Sequence, residues 1–257
     1  MKMQEHCSCL LPLLMFVGIM TVMPEVSAPR TARDVARGEL TRAILASARQ
    51  QLAEVGPAAL SVRALARDLG MASSAVYRYF TSRDELLTAM LIEAYDELGS
   101  AVEQADAGVT RRKNLRERWS RVCHAIRDWA VAQPHEYALL YGTPVPGYAA
   151  PDATVPAAAR VPLVMLALAH EAQKARRPLT TTSLAVPRSE HRALAGIRDL
   201  TDFTIDDERL VRCLMAWSNL FGHISLELFG HMHRGVLDYD AHFDHVVERL
   251  ATDLGLS

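Results

Sequence analysis

Residues Ser61 to Leu87 read SVRALARDLGMASSAVYRYFTSRDELL. The run spells a helix, a tight turn, a second helix and a fresh helix start. Ser61 suits an N-cap, and Val62, Leu65, Ala66 and Leu69 then recur at the i, i+3, i+4, i+7 spacing of a short amphipathic helix. Gly70 tolerates the left-handed backbone that ends such a helix, so the chain can reverse and start again at Ala72 or Ser73. At about 100° per residue, Ser73, Ser74, Tyr77 and Arg78 share one arc of the second helix, and Ala75, Val76, Tyr79 and Phe80 the opposite one. One arc packs and the other is free to read. Small hydroxyl residues let a helix approach a DNA major groove, and Tyr and Arg reach phosphates or guanine edges. Ser82 and Glu85 have the spacing of a capping box for the next helix, whose apolar face starts at Leu86 and Leu87.

A short helix pair also occurs as a plain packing unit in helical proteins. The Tyr77 to Phe80 block, joined to a capped helix with paired leucines, is far more specific. Leu65-Ala66, Leu69-Gly70, Val76-Tyr77, Phe80 and Ser82-Arg83-Asp84-Glu85-Leu86-Leu87 together resemble the DNA-binding domain of the TetR family of transcriptional regulators. With a supporting helix read over Glu39 to Val55, the resemblance covers roughly residues 39–91. It implies that Ser61 and Tyr77 meet phosphates and that Ser73, Ser74 and Arg78 lie near bases. Three positions depart from the family pattern: Tyr79 where His is frequent, Arg83 where Lys is usual, and Ala72 where a hydroxyl residue is common. The first two keep a donor for phosphate, and the third removes a cap and a contact, which implies an altered operator preference. The candidate DNA-binding set is Ser61, Arg63, Ser73, Ser74, Tyr77, Arg78, Tyr79 and Arg83.

The charge is divided along the chain. From Pro29 to Arg83 there are nine Arg against four acidic residues, a net of +5, whereas from Asp84 onward 18 basic against 24 acidic residues give −6. With −1 from residues 1–28 the total is the −2 of the whole chain. A local basic excess around a helix-turn-helix is the footprint of a phosphate-binding surface. Arg30, Arg33 and Arg37, ahead of the first helix, fit either a flexible arm adding phosphate or minor-groove contacts or an ordinary soluble leader. Of the four cysteines, Cys123 and Cys213 sit in apolar helical contexts that predict buried thiols, and no CxxC pair occurs.

Residues 1–28 conflict with this picture. Lys2, the apolar run Leu10 to Met23 and the pair Ser27-Ala28 imitate a secretory signal peptide. The run is shorter than the about 20 residues a membrane span needs. Either Met23 is the true start, or the segment is an export signal or anchor. The first is favoured, since it leaves a short polar arm ahead of the first helix.

The remainder reads as all-helical, with no repeat and no sustained strand alternation. Helices are expected from Ser82 to about Gln104, Arg111 to Ala132, Pro134 to Tyr141, Val161 to Arg176, Asp206 to about Met232, and Tyr239 to Leu254. Thr143 to Pro156, with four prolines, is expected to be a loop, and Pro178 to Pro187 a second break. The Asp206 helix carries apolar residues most of the way round, including Leu210, Leu214, Met215, Trp217, Phe221, Leu226 and Phe229, which predicts burial on more than one side. A second subunit is the expected cover, with the last helix completing a four-helix interface. The TetR resemblance implies the same dimer. Gln133 to Tyr148, Trp217 to Gly222 and Leu226 to Gly230 are similar to a subclass of TetR C-terminal domain marked by a Trp and a Gly in its penultimate helix.

The expected architecture is therefore all-α: residues 29–91 as a three-helix DNA-binding domain and 92–257 as a helical effector-binding and dimerisation domain. Trp119, Cys123, Tyr137, Tyr141, Met165, Trp217 and Phe221 are candidate lining for an effector pocket, although plain core packing fits each of them. His223, Glu227 and His231 step by four along one helix, a spacing zinc can use. Polar residues at a seam fit better, and no metal is expected. No nucleophile motif, glycine-rich phosphate loop or paired-carboxylate signature appears, so no enzyme and no cofactor are expected. The function read from this is a cytoplasmic homodimeric regulator, a repressor released from a pseudo-palindromic double-stranded DNA operator by a small-molecule effector, with no stable membrane association. The alternatives are a helical ligand-binding or scaffold dimer without DNA binding, and an exported or membrane-attached helical protein.

Overall fold

The computed structural model describes residues 31–179, 185–199 and 201–256. The signal-like segment, the start at Met23, Cys7, Cys9, Arg30 and the middle of the Pro178 to Pro187 break lie outside the described residues. Regular structure among the described residues is helical, and the chain divides into two compact units. The first runs to Glu93 and also takes in Ala138–Thr154; the second holds Ala94–Tyr137 and the chain from Val155 onward. Sequence reading placed one cut after residue 91, and the segment 138–154 belongs instead with the first unit.

In the first unit α1 spans Ala32–Val55, seven residues longer at its start than the hydrophobic pattern suggested. The reason is a capping box: the Thr31 side chain accepts from the Asp34 amide, and the Asp34 carboxylate accepts from the Thr31 amide. Arg33 and Arg37 are thus helical residues and not part of a flexible arm. A 3-10 turn at Pro57–Ala59 leads to α2, Val62–Asp68, and Gly70, at φ +63°, makes the reversal into α3, Ser73–Val76. Helix α4, Arg83–Ala107, then runs out of the unit. The core between these helices is apolar, with Ile44, Ala48, Leu52, Leu65, Val76, Phe80, Leu86 and Leu87 buried, and Leu139, Val145 and Tyr148 packing against it.

The second unit is built around α5, Leu115–Ala132, which packs on α7, α10 and α11. Helix α6, Pro134–Tyr141, crosses the boundary between units. Helix α7, Val155–Lys174, starts six residues before its expected position, because Pro156 sits in the first turn, where its missing N–H costs nothing, and Pro162 is carried inside. By length and composition the stretch Asp152–Lys174 is apolar enough to cross a membrane. Its Val161, Met165, Leu168, Ala169 and Ala172 are buried against the rest of the unit, as in the core helix of a globular domain. Short helices α8, Arg188–Ala193, and α9, Ala195–Arg198, precede α10, Asp207–Leu228, and α11, Tyr239–Asp253.

Arginines tie this unit together. Arg118, 2% exposed, binds both carboxylate oxygens of Asp106, at 2.7 and 3.2 Å, and Glu171 at 2.7 Å. Arg127 forms a bidentate pair with Glu227 at 2.7 and 2.8 Å and also holds Asp240. Arg160 lies across Gly99, where a Cβ would come within 2.8 Å of its side chain, and grips Glu103 and Asp96 on either side. Arg209 has no carboxylate partner among the described residues and instead caps backbone, donating to the carbonyls of Leu254 and Arg177.

Candidate nucleic-acid interface

Local packing aims the reader. In α2, Leu65 and Ala66 are buried, which leaves Arg63 and Arg67 on the outer side. The start of α2 is held from beneath by Gln51, a buried amide on α1 whose side-chain oxygen accepts from the Ser61 amide at 2.6 Å. Sequence reading missed Gln51. Its signal was a polar residue on the stripe Ile44, Ala48, Leu52 that otherwise faces the core. Ser61 itself caps α2 only loosely, with its hydroxyl 3.4 Å from the Ala64 amide.

Helix α3 is a single turn, and the chain continues through Phe80 on i+3 and i+4 hydrogen bonds, among them Tyr79 N–H to the Val76 carbonyl and Phe80 N–H to the same oxygen. The expected two faces are present. Val76 and Phe80 are buried, while Ser74, Arg78 and Tyr77, 40% exposed, face outward with Ser73 at the edge. Tyr79 is half-buried against the core.

Two expectations need correction. Glu85 does not close a box on Ser82. Ser82 does accept from the Glu85 amide, but the Glu85 carboxylate accepts from the Thr81 amide at 2.6 Å and the Thr81 hydroxyl at 2.7 Å, bonds that hold this carboxyl below its ordinary range. Arg83, assigned to phosphate, donates instead to the carbonyls of Pro57 and Ala58 at 2.7 and 3.2 Å, where it fastens the 3-10 turn to the start of α4. Exposed Arg63, Arg67 and Arg78 remain available to a polyanion.

Of the seven residues expected to line an effector pocket, Trp119, Cys123, Tyr137, Met165 and Phe221 are buried, and Tyr141 and Trp217 are half-buried. Trp119 donates its indole N–H to the Val247 carbonyl at 3.0 Å, and the Tyr137 hydroxyl lies 3.0 Å from the Phe221 carbonyl and 2.9 Å from Ser225 Oγ. Burial pushes the Tyr137 phenol up to about 12 and the Cys123 thiol far above its usual value. Trp217 packs tilted on Phe221, and Tyr141 is grouped with the first unit. Two surface clefts of the second unit, about 310 and 380 Å³, are lined by polar residues such as Arg116, Arg121, His124 and Asp128, and by none of the seven.

The zinc-like spacing dissolves in three dimensions. Helix α10 ends at Leu228 and not near Met232, because Gly230, at φ +76°, turns the chain and the His231 amide closes back on the Leu226 carbonyl. His231 therefore leaves the face, and Glu227 is held by Arg127.

Known proteins carry the same two parts. A family model described as bacterial regulatory proteins, tetR family, matches residues 44–90, and one described as tetracyclin repressor-like, C-terminal domain, matches 119–250. The HTH-type transcriptional regulator Rv1816 of Mycobacterium tuberculosis is 41% identical over 200 residues, which are 76% of this chain and 83% of that one. The crystal structure described as regulatory protein SCO4313 aligns with a TM-score of 0.71 at 30% identity, covering 87% of this chain and 98% of the other. A protein of unknown function from Rhodococcus sp. RHA1 shares the fold at a TM-score of 0.59 and 24% identity, over 91% and 97% of the two chains.

Proposed function

This chain belongs to the TetR family of bacterial regulatory proteins and is a DNA-binding transcriptional regulator, and from that premise we propose that it is a homodimeric, cytoplasmic repressor controlled by a small molecule and not an enzyme. The observation that carries the reading is the outward face of the segment after Gly70, where Ser74, Tyr77 and Arg78 stand clear of an apolar core with Ser73 at the edge. Short residues there let the backbone approach a groove, Tyr77 meets phosphate, and Arg78 has the reach and fork for a guanine edge. The reader covers residues 29–91, and the chain from 92 onward, apart from the segment 138–154 that is grouped with the first unit, carries effector binding and pairing.

Pairing is supported by α10. Its inner residues Leu210, Cys213, Leu220 and Ile224 are buried within the unit, yet Met215, Leu226 and Phe229 are 58, 44 and 45% exposed. Such apolar side chains on a helix already buried on its other side suit a second copy of the chain. Two readers then meet half-sites about one helical turn apart or a multiple of it. An effector that enters between Trp119, Tyr137 and Phe221 has to part packed side chains, and any effector shifts DNA affinity only by its differential affinity for the two states, typically about 5- to 150-fold.

Transcription from the promoter upstream of the protein's own gene tests the repressor reading. Deletion of the gene raises expression, and a compound that relieves repression also raises the melting temperature of the isolated protein and weakens its operator binding by a reciprocal factor. Unchanged expression on deletion contradicts it.

A further inference from the structure

The first turns of α1 stand out from the reader. Every residue from Thr31 to Glu39 is exposed, and the first buried residue of the helix is Ile44. Arg33, Arg37, Leu40 and Ile44 step by four, three and four, so they form a single stripe. The inner end of that stripe, Leu40 and Ile44, packs into the core, and the outer end carries two cations. Of these two cations Arg37 lies against Tyr79, near the end of the recognition segment, and Arg33 lies one turn further toward the start of α1.

Arg37 is seated there. Its guanidinium carbon lies 5.6 Å over the centre of the Tyr79 ring, and Tyr79 directly follows the outward pair Tyr77 and Arg78. A guanidinium on an aromatic face is attracted through its flat surface while the N–H groups at its edge stay available to an acceptor. Among the described residues the ion pairs of this unit involve Arg49 and Arg83, not Arg33 or Arg37. The ring restricts the rotamers of Arg37, so less side-chain freedom is lost when its fork meets an anion.

We propose that Arg37, seated on Tyr79 and followed one turn outward by Arg33, is a clamp for the DNA phosphodiester backbone beside the groove that the Ser73 to Arg78 segment enters. The clamp takes the place of the phosphate contact expected from Arg83, which binds backbone carbonyls. It rests on the DNA-binding reading, and it adds affinity without sequence preference, because phosphates carry no base identity. Tyr79 is then a positioning residue.

The test uses the full chain with two labelled duplexes, one from upstream of its own gene and one scrambled, titrated by fluorescence anisotropy from about 0.05 to 0.3 M salt. Arg37→Gln is expected to weaken binding to both duplexes alike, by about tenfold, and to make the slope of log K against log salt shallower by about 0.9 for each protomer, about 1.8 for the dimer. Arg37→Lys, which keeps the charge and loses the fork, is expected to keep the wild-type slope with weaker affinity. Because Arg37 is exposed, both variants should melt with the wild type, so a binding loss is not a folding loss. A wild-type slope in Arg37→Gln, or a loss confined to the upstream duplex, overturns the clamp while leaving the reader standing. Wild-type protein that binds neither duplex overturns the reader, and the clamp with it.

Discussion

Two parts of the molecule use the same residue in opposite ways. In the second unit three arginines are clasped by carboxylates, Arg118 by Asp106 and Glu171, Arg127 by Glu227 and Asp240, Arg160 by Asp96 and Glu103, while Arg209 caps backbone carbonyls and Arg111, Arg121 and Arg234 are exposed. In the first unit Arg33, Arg37, Arg63, Arg67 and Arg78 are exposed, and those that are engaged hold backbone carbonyls, as Arg83 does, or one half-exposed carboxylate, as Arg49 does with Glu93. The contrast shows why net charge alone is a blunt guide. An arginine marks a polyanion surface when the fold leaves it unpaired, and a structural clasp when carboxylates are folded around it.

Substitution of arginines on the two sides should separate these roles. The largest stability effect is expected for Arg118→Met, which strips Asp106 of its main partner inside the second unit and should cost about 3 kcal/mol in denaturant unfolding. A loss below about 1 kcal/mol would mean the cluster is solvent-relaxed and would weaken the contrast. The same cluster carries a pH signature. Burial pushes the Asp106 carboxyl up, but hydrogen bonds and charge from Arg118 and Arg112 outweigh it and hold the group below its ordinary value. A carboxyl with a lowered folded-state pKa stabilises the protein above its unfolded value near 4 and loses that contribution as pH falls through the folded value. The stability gap between wild type and Arg118→Met should therefore narrow from about pH 5 downward; a constant gap would exclude Asp106 as the source.

Smaller effects are expected in the reader. Arg83→Met removes two donors from the carbonyls of Pro57 and Ala58 and should cost about 1–2 kcal/mol, with the salt slope of DNA binding unchanged. A shallower slope would return Arg83 to the phosphate set. Gln51→Ala leaves the Ser61 amide without its acceptor and should cost about 1 kcal/mol, read most directly as faster amide exchange at the start of α2. In the second unit Arg160→Gln, whose partner carboxylates are about half exposed, should cost less than about 1 kcal/mol. Arg78→Ala should change stability by no more than about 0.5 kcal/mol while removing selective DNA binding.

Much of this was legible in the sequence, and what was not has local causes. The helix-turn-helix could be read because each part has a short-range signal: the Ser61 cap, the stripe from Val62 to Leu69, Gly70, and the alternation of faces from Ser73 to Phe80. The start of α1 was hidden because its first turns bury nothing, so only the Thr31 and Asp34 cap marks them. The early start of α7 was masked by Pro156 and Pro162, which read as breakers and are tolerated where they fall. Gly230 was in plain view as a stop for α10, but the dense apolar residues up to Phe229 suggested a helix that carries on to Met232 and, with it, a His223, Glu227 and His231 face that does not exist. Long side chains were the hardest to place. Nothing in the spacing of Arg83 distinguishes a phosphate from the carbonyl of Pro57, 26 residues away. The seven effector-pocket candidates show the same limit: aromatic and sulfur-bearing residues at helical spacing say that a helix is buried, and not whether it is buried by protein or by ligand.

The central claim is that the exposed face from Ser73 to Arg78 reads DNA, and its most direct test is a binding titration of the purified full chain on the duplex upstream of its own gene, with scrambled duplex as competitor, for wild type, Tyr77→Phe and Arg78→Ala. The account predicts selective, salt-dependent binding by the wild type, weakening for Tyr77→Phe on any sequence, and loss of the preference over scrambled DNA for Arg78→Ala. Binding that is indifferent to both substitutions would contradict it.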